Sequence, residues 1–378
     1  MKINCLDIKC SGCRACELTC PKEAIKFEID ERGFKYPEIN EKKCIDCGLC
    51  RSVCQCCVGK KENDEYKSFL AYYPGNQVRK VSQSGGLFYG LAEMIISQGG
   101  IVYGAALDER LEVFQMRVKD MSNLSNLQGS KYVQSDTRRS YGQVLKDLKE
   151  GSTVLYSGTS CMISGLYLFL KKKHIDITKL YTCDLICHGV VSPKLYQENI
   201  ERIEKIEKKK INSVNFRDKK FGWHSHNETY IFEDGSTKTE RNYTELFYTH
   251  VALRECCYQC QFTAMNKKVA DITMADFWGI SEVAPEIEDD NKGFSLAITH
   301  SKAGEELLNS SKLYIKEVEK NRVLEKNRTR EISKPFIYDK FWKDYKKYGY
   351  SYCLKKYTIY GGIKFKIKRK ILKAFKCW

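Results

Sequence analysis

Two rows of cysteine at fixed spacing constrain this chain more than any other feature. The first is Cys10-x-x-Cys13-x-x-Cys16-x-x-x-Cys20-Pro21 and the second is Cys44-x-x-Cys47-x-x-Cys50-x-x-x-Cys54. A loop that presents a thiol every third residue wraps the corners of one [4Fe–4S] cube, while the fourth cysteine is displaced toward a neighbouring cube. The spacing therefore predicts two ligand sets: Cys10, Cys13 and Cys16 with Cys54, and Cys44, Cys47 and Cys50 with Cys20. A zinc ribbon needs only two CxxC pairs around one four-coordinate ion, and three consecutive steps, duplicated, exceed that. Gln55 stands where a proline often follows the last cysteine, and Cys56 and Cys57 are competing thiols just beyond it. Spacing favours Cys54 and leaves Cys5 out.

The other cysteines agree with metal rather than disulfides. The chain has 19 cysteines in 378 residues, an odd number bunched toward the start and below the roughly 8–10% of disulfide scaffolds. A hydrophobic fraction of 42% supports a large core without staples. No apolar run reaches the about 18 residues of a spanning helix, and Met1 leads straight into the cysteine rows without an apolar leader. These features predict a cytoplasmic chain, where reduced thiols persist.

Organisation follows from pattern. Residues 1–57 read as one small metal module with a hairpin, in which 25–29 and 34–36 flank Asp30-Glu31-Arg32-Gly33. Residues 58–68 are charged and aperiodic and read as a linker. Residues 69–330 alternate strand-like runs (101–107, 113–118, 153–156, 180–186, 214–217, 229–233, 269–275, 294–299) with helix-like ones (86–98, 137–149, 162–173, 193–210, 303–310), which predicts a mixed α/β body. The helix from 193 is the best signalled, with Ser192 as cap and Pro193 in its first turn. The class is therefore α+β or α/β: a small ferredoxin-like module, a larger mixed body and a basic helical tail.

That tail carries most of the charge. Lys and Arg number 64 against 48 Asp and Glu, a balance of +16, and residues 331–378 hold 14 of the bases against Glu331, Asp339 and Asp344. Ile363, Ile367, Ile371, Phe375 and Trp378 fall at helical spacing with lysines largely off the stripe. Such a helix packs on the body or docks on an anionic membrane surface. No nucleic-acid-binding motif accompanies the charge.

A third group of thiols lies in the body: Cys161 in Gly158-Thr159-Ser160-Cys161, Cys187 in Asp184-Leu185-Ile186-Cys187-His188-Gly189, and Cys256-Cys257-Tyr258-Gln259-Cys260. Cys161 and Cys187 follow predicted strands, where loops at the carboxyl ends of a sheet build sites. Spacing alone leaves three readings open, namely another cluster, zinc, or buried small hydrophobes with an incidental CxxC.

These motifs resemble the beta subunits of coenzyme F420-reducing hydrogenase and dehydrogenase. The resemblance runs from the cysteine rows to about Lys302 and is carried by Ser82-Gln83-Ser84-Gly85-Gly86, Gly158-Thr159-Ser160-Cys161, Asp184 to Pro193, Cys257-Tyr258-Gln259-Cys260, Ala270 to Gly279, and Asn291-Lys292-Gly293-Phe294-Ser295. It implies FAD and a [4Fe–4S] cluster in the body, with Cys161, Cys187, Cys257 and Cys260 as ligands and Cys256 as a spare. Ser160, Met162 and Val191 depart from the residues usual in relatives. Flavin is not visible in composition. Candidate contacts are Ser84, Gly85 and Gly86 opening a helix, Gly158 and Thr159 before another, Asp276, Asn291 and Lys292; a plain cap, turn or solvated lysine reads the same way.

The expected function is an iron–sulfur flavoprotein oxidoreductase joining one-electron and two-electron chemistry. Its partners would be ferredoxin or coenzyme F420 and a small unsaturated or carbonyl substrate, in a role such as surface-polysaccharide synthesis. The alternative is a non-catalytic electron-transfer subunit serving a partner enzyme. No catalytic residue is named by the sequence.

Overall fold

The computed structural model describes residues 10–58, 62–327 and 331–358. The cysteine rows flank an antiparallel hairpin of β1 (Ile25–Ile29) and β2 (Lys35–Ile39). Its turn is fixed by Asp30, whose Oδ1 accepts from the backbone N–H groups of Arg32 and Phe34, and by Gly33 at φ 87°.

The body is built on an eight-stranded sheet that begins with β3 (Lys67–Tyr72), β4 (Ile101–Leu107), β5 (Val113–Val118), β6 (Val154–Ser157) and β7 (Leu180–Leu185). A separate three-stranded antiparallel sheet holds β8 (Ile211–Asn215), β9 (Glu228–Phe232) and β10 (Thr237–Glu240). The chain then returns to the large sheet with β11 (Ile272–Asp276), β12 (Ser295–Thr299) and β13 (Tyr314–Val318), completing the order β13-β3-β12-β11-β7-β6-β4-β5. The four inner strands β4, β6, β7 and β11 are parallel, and the outer pairings are antiparallel.

Alternation along the inner strands explains the two layers that cover the sheet. Val102, Ala106 and Leu155 point into a core with the helix Leu87–Ser97 and with Leu307 and Leu308. Ile101, Tyr103, Val154 and Tyr156 point to the other face, against the helices Ser140–Lys149 and Ser160–Lys172. Strands buried on both faces read as continuous apolar runs, which is why these segments stand out in the sequence. Ala15 and Cys16 join the second core, so the cysteine module is seated on the outer face of the Ser160–Lys172 helix.

Several expectations shift. Lys67 and Ser68, read as the end of a linker, already belong to β3, one strand in from the sheet edge. The run at 214–217 overlaps only the last two residues of β8, which starts at Ile211, ends at Asn215 and contains a register shift between Ile211 and Ser213. The helix from Pro193 ends at Glu207, where Lys208 takes a left-handed conformation, and Ser192 caps it by accepting from the Leu195 N–H. The tail begins as two helices, Tyr338–Tyr348 and Tyr350–Tyr357, whose Phe341, Trp342, Tyr345 and Leu354 share a core with Ile200 and Ile203. The amphipathic helix read at 363–378 lies outside the described residues. No described helix is long and apolar enough to cross a membrane.

Candidate metal centre

The two cysteine rows fold alike, residue for residue. In the first, Gly12 (φ 75°) and Arg14 (φ 63°) take left-handed conformations on either side of Cys13; in the second, Asp46 (φ 51°) and Gly48 (φ 72°) do so on either side of Cys47. Each row then enters a short helix, Ala15–Thr19 or Leu49–Ser52. Two left-handed residues wind the loop so that successive thiols turn inward, and glycine takes one of the two positions in each row because it adopts that conformation without strain.

The predicted pairing across the rows is what the fold brings together. Burial pushes the Cys13 thiol up to about 12, and Cys10 and Cys54 raise it further through their nearby charge. Cys16 is pushed up by burial and then by Cys13, Cys10 and Cys54. Cys20, Cys44, Cys47 and Cys50 line a second hollow with Ile25, Ile39 and Leu49. Cys47 is exposed, so this second site meets solvent.

The third group converges as well. A cavity of about 300 Å3 opens at the carboxyl ends of β6 and β7, lined by Cys161, Cys187, Cys256, Cys257 and Cys260. Gly189 donates its N–H to the Cys187 sulfur at 3.3 Å, and Thr159 Oγ1 lies 3.1 Å from the Cys161 sulfur. Burial raises Cys161 and Cys260, and raises Cys187 to about 11. Cys256 is held below the usual thiol value, first by a hydrogen bond with Cys257 and then against burial by Arg254.

Three features of this cavity escape the sequence. Cys56 lines it together with Ser11 and Gln55, so the cysteine module supplies part of the body site's wall. Lys268 also lines it, with its ammonium 2.9 Å from Ser160 Oγ and from the Leu185 carbonyl and 3.3 Å from the buried Asp184 carboxylate. Arg254 is fully buried beside it and makes three hydrogen bonds, all to uncharged oxygens. Only contacts far apart in sequence reveal these roles.

The candidate flavin contacts gather at the same end of the sheet, but their polar groups are engaged within the protein. Ser84 Oγ donates to the Phe294 carbonyl, and the Gly85 N–H donates to Ser295 Oγ at 2.9 Å. A Cβ on Gly85 would lie 2.7 Å from the Ala71 carbonyl and the Ser295 nitrogen, so this glycine permits close packing. Gly86 opens the helix Leu87–Ser97 at φ 87°. Gly158 donates to the Cys183 carbonyl. Asp276 accepts from Arg217 at 2.6 Å and from the Trp223 indole at 2.8 Å. Asn291 caps the Trp223 N–H, and Lys292 pairs with Asp290. Lys219, not singled out by the sequence, donates to the carbonyls of Arg79, Ser84 and Lys292, and burial holds it at about 7.

Comparison with known proteins addresses the two parts separately. Residues 9–58 match the 4Fe-4S dicluster domain, and residues 151–322 match the C-terminal region of the beta subunit of coenzyme F420 hydrogenase/dehydrogenase. The second match takes in under half of the chain and is a likeness of that part to the beta-subunit family. The chain thus joins an N-terminal stretch that matches a dicluster domain to a body that resembles a hydrogenase/dehydrogenase beta subunit. Among curated proteins it is 33% identical over 54 residues to the ferredoxin-type protein NapF of Haemophilus influenzae, covering 14% of this chain and 31% of that one. It is also 33% identical over 49 residues to the ketoisovalerate oxidoreductase subunit VorC of Methanothermobacter marburgensis, covering 12% and 62%. The matched stretch spans under two thirds of either relative. A chain of the F420-reducing [NiFe] hydrogenase complex from Methanosarcina barkeri aligns at TM-score 0.45 and 17% identity over 68% of this chain and 83% of that one.

The thiol sites fit iron–sulfur clusters on a physical ground of their own. Burial raises Cys10, Cys13, Cys16, Cys161, Cys187 and Cys260, so thiolates there need a bound cationic core to compensate their charge. A buried guanidinium without a carboxylate is costly unless an anion completes the site, and a thiolate-bound cluster is such an anion. The flavin candidates pass no comparable test, because their donors already have partners.

Proposed function

We propose that this chain is an iron–sulfur oxidoreductase subunit whose three thiol sites hold [4Fe–4S] cubes in series and whose body binds FAD at the carboxyl end of the sheet. The observation that carries this reading is the shared wall: Ser11, Gln55 and Cys56 line the same cavity as Cys161, Cys187, Cys256, Cys257 and Cys260. A bound cube takes up and returns one electron, and FAD exchanges one or two. The protein's own part is to hold and insulate. The Cys44 row faces an outside partner through exposed Cys47, the Cys10 row packs against the body, and the helix Ser160–Lys172 excludes water from Cys13. FAD is what the resemblance to the beta subunits implies, and its candidate contacts, Ser84–Gly86, Gly158, Thr159, Asp276, Asn291 and Lys292, lie at one end of the sheet. The iron, sulfide and FAD content of anaerobically prepared protein tests the reading, with about twelve iron expected from three cubes.

The partner at the flavin would be coenzyme F420 or another unsaturated or carbonyl compound, with ferredoxin on the cluster side. Turnover with reduced deazaflavin against reduced ferredoxin as donor separates the two directions. One observation favours a second reading, an electron-transfer subunit with no substrate of its own: the polar groups of the flavin candidates are already paired inside the protein. Oxidation of the reduced chain by a partner protein, without small-molecule turnover, would support it. The basic stretch at 363–378 extends the proposal to an anionic membrane surface. Removal of residues 362–378 should then abolish binding to anionic liposomes, and unchanged binding would contradict it.

A further inference from the structure

Each of the other strongly buried arginines faces a carboxylate. Arg79 makes a two-pronged contact with Asp290, and Arg217 pairs with Asp276. Arg254 is the exception. Its Nε donates to the Cys10 carbonyl at 2.7 Å, one terminal nitrogen to Gln134 Oε1 at 2.9 Å, and the other to the Lys35 carbonyl at 2.8 Å. The guanidinium also lies over the rings of Tyr36 and Phe34, at 4.1 and 5.4 Å from their centroids. No carboxylate pairs with it among the described residues.

Its backbone belongs to the body site, since the Arg254 N–H donates to the Val190 carbonyl just beyond Cys187, and Cys256 and Cys257 follow two and three residues later. Its side chain belongs to the first cysteine row. Gly12 leaves the room: a Cβ there would lie 2.7 Å from Gln134 Nε2 and 3.1 Å from an Arg254 nitrogen. The thiols in electrostatic reach of the guanidinium are Cys10 on one side and Cys256 and Cys257 on the other.

We propose that Arg254 is a positioning residue shared by two cluster sites, holding the Cys10 loop against the body cavity and supplying a fixed positive charge that both sites face. The inference rests on the three-cube reading above. Each site gains a negative charge when its cube accepts an electron, and a buried cation between them favours that state at both. The hollow of the second row, lined by Cys20, Cys44, Cys47 and Cys50, does not include Arg254 and serves as an internal reference.

The test is a dithionite titration followed by electron paramagnetic resonance on the full chain, with iron counted first. About twelve iron in the unaltered protein establishes the underlying reading, and a lower count overturns that reading instead. In Arg254→Gln two of the three reduction waves should shift to lower potential, by a tenfold change in the reduced-to-oxidised ratio or about 59 mV, while the third stays in place. In Arg254→Lys, which keeps the charge, the two waves should remain near their original positions. All three waves unmoved in a fully loaded Arg254→Gln protein would overturn the proposal. If Arg254→Gln takes up less iron, Arg254→Lys decides: restored uptake supports the role of the charge, and a variant as empty as Arg254→Gln overturns it.

Discussion

Single side chains divide here into those whose roles follow from neighbours in sequence and those that depend on distant ones. Cys54 is of the first kind. It joins Cys10, Cys13 and Cys16, whereas Cys56, two residues on, lines the body cavity. Cys54→Ser should therefore lose about four iron, one cube's worth, and Cys56→Ser should lose none; equal losses in the two, by iron assay, would contradict the assignment. His300 is of the second kind. Its ring lies 2.9 Å from Thr273 Oγ1, which donates to the buried Asp184 carboxylate, and burial holds His300 at about 4. The unfolded chain takes up this proton near pH 6.5, the folded one only near 4. Stability from this group is thus complete above pH 6.5 and falls as the pH drops toward 4, by up to about 3 kcal/mol. Urea melts across that window should show a shallower acid loss in His300→Gln; parallel slopes would contradict it. The cysteine rows were legible because cluster spacing is local. Arg254 was not, because its acceptors sit at positions 10, 35 and 134.

At the scale of elements, the helix Ser160–Lys172 couples the sheet to the cysteine module through one missing side chain. A Cβ on Gly165 would stand 2.8 Å from the Cys13 sulfur and 2.9 Å from its Cβ. Glycine inside a helix ordinarily costs about 1 kcal/mol relative to alanine, so Gly165→Ala should gain helix propensity while displacing Cys13. The expected outcome is loss of about four of twelve iron with helicity retained by circular dichroism, and full iron in that variant would contradict the packing. Elements with a strong apolar pattern were legible: β4 coincides with the run at 101–107 because a strand buried on both faces repeats few polar residues, and β5, at the sheet's edge, still shows in the run at 113–118 through Val113, Phe114, Met116 and Val118. Those without it were missed. β10 is Thr-Lys-Thr-Glu at the edge of the small sheet, and β13 is Tyr-Ile-Lys-Glu-Val at the edge of the large one, where solvent tolerates charge. In sequence the helices at 338–357 read only as part of a basic, aromatic-rich helical tail; their boundaries were not legible, and Tyr338 and Trp342 pack against the ring-facing Arg32 of the hairpin.

Across the whole molecule, the module and the body are bound by contacts from the turn end of the hairpin and from the first cysteine row. Ser192, the cap of the Pro193–Glu207 helix, donates to the Arg32 carbonyl, Arg32 pairs with Glu255, and Lys35 and Arg14 share Asp136. Glu255 directly precedes the Cys256 thiol, so the hairpin, the tail helix and the body cavity meet at one point. The duplicated rows made the module readable and the alternating strands made the body readable, but their mutual seating is a property of surfaces that no local pattern encodes. With three cubes loaded as proposed, twelve thiolates and three oxidised cores would bring the formal +16 to about +10, so that residues 331–378 would carry the whole basic balance.

The most direct test of the central claim is the iron, acid-labile sulfide and FAD content per chain of the protein prepared without oxygen. Three cubes and one flavin predict about twelve iron, twelve sulfide and one FAD. About eight iron, eight sulfide and no flavin would contradict the account, leaving a dicluster domain attached to a body whose converging thiols hold no cluster.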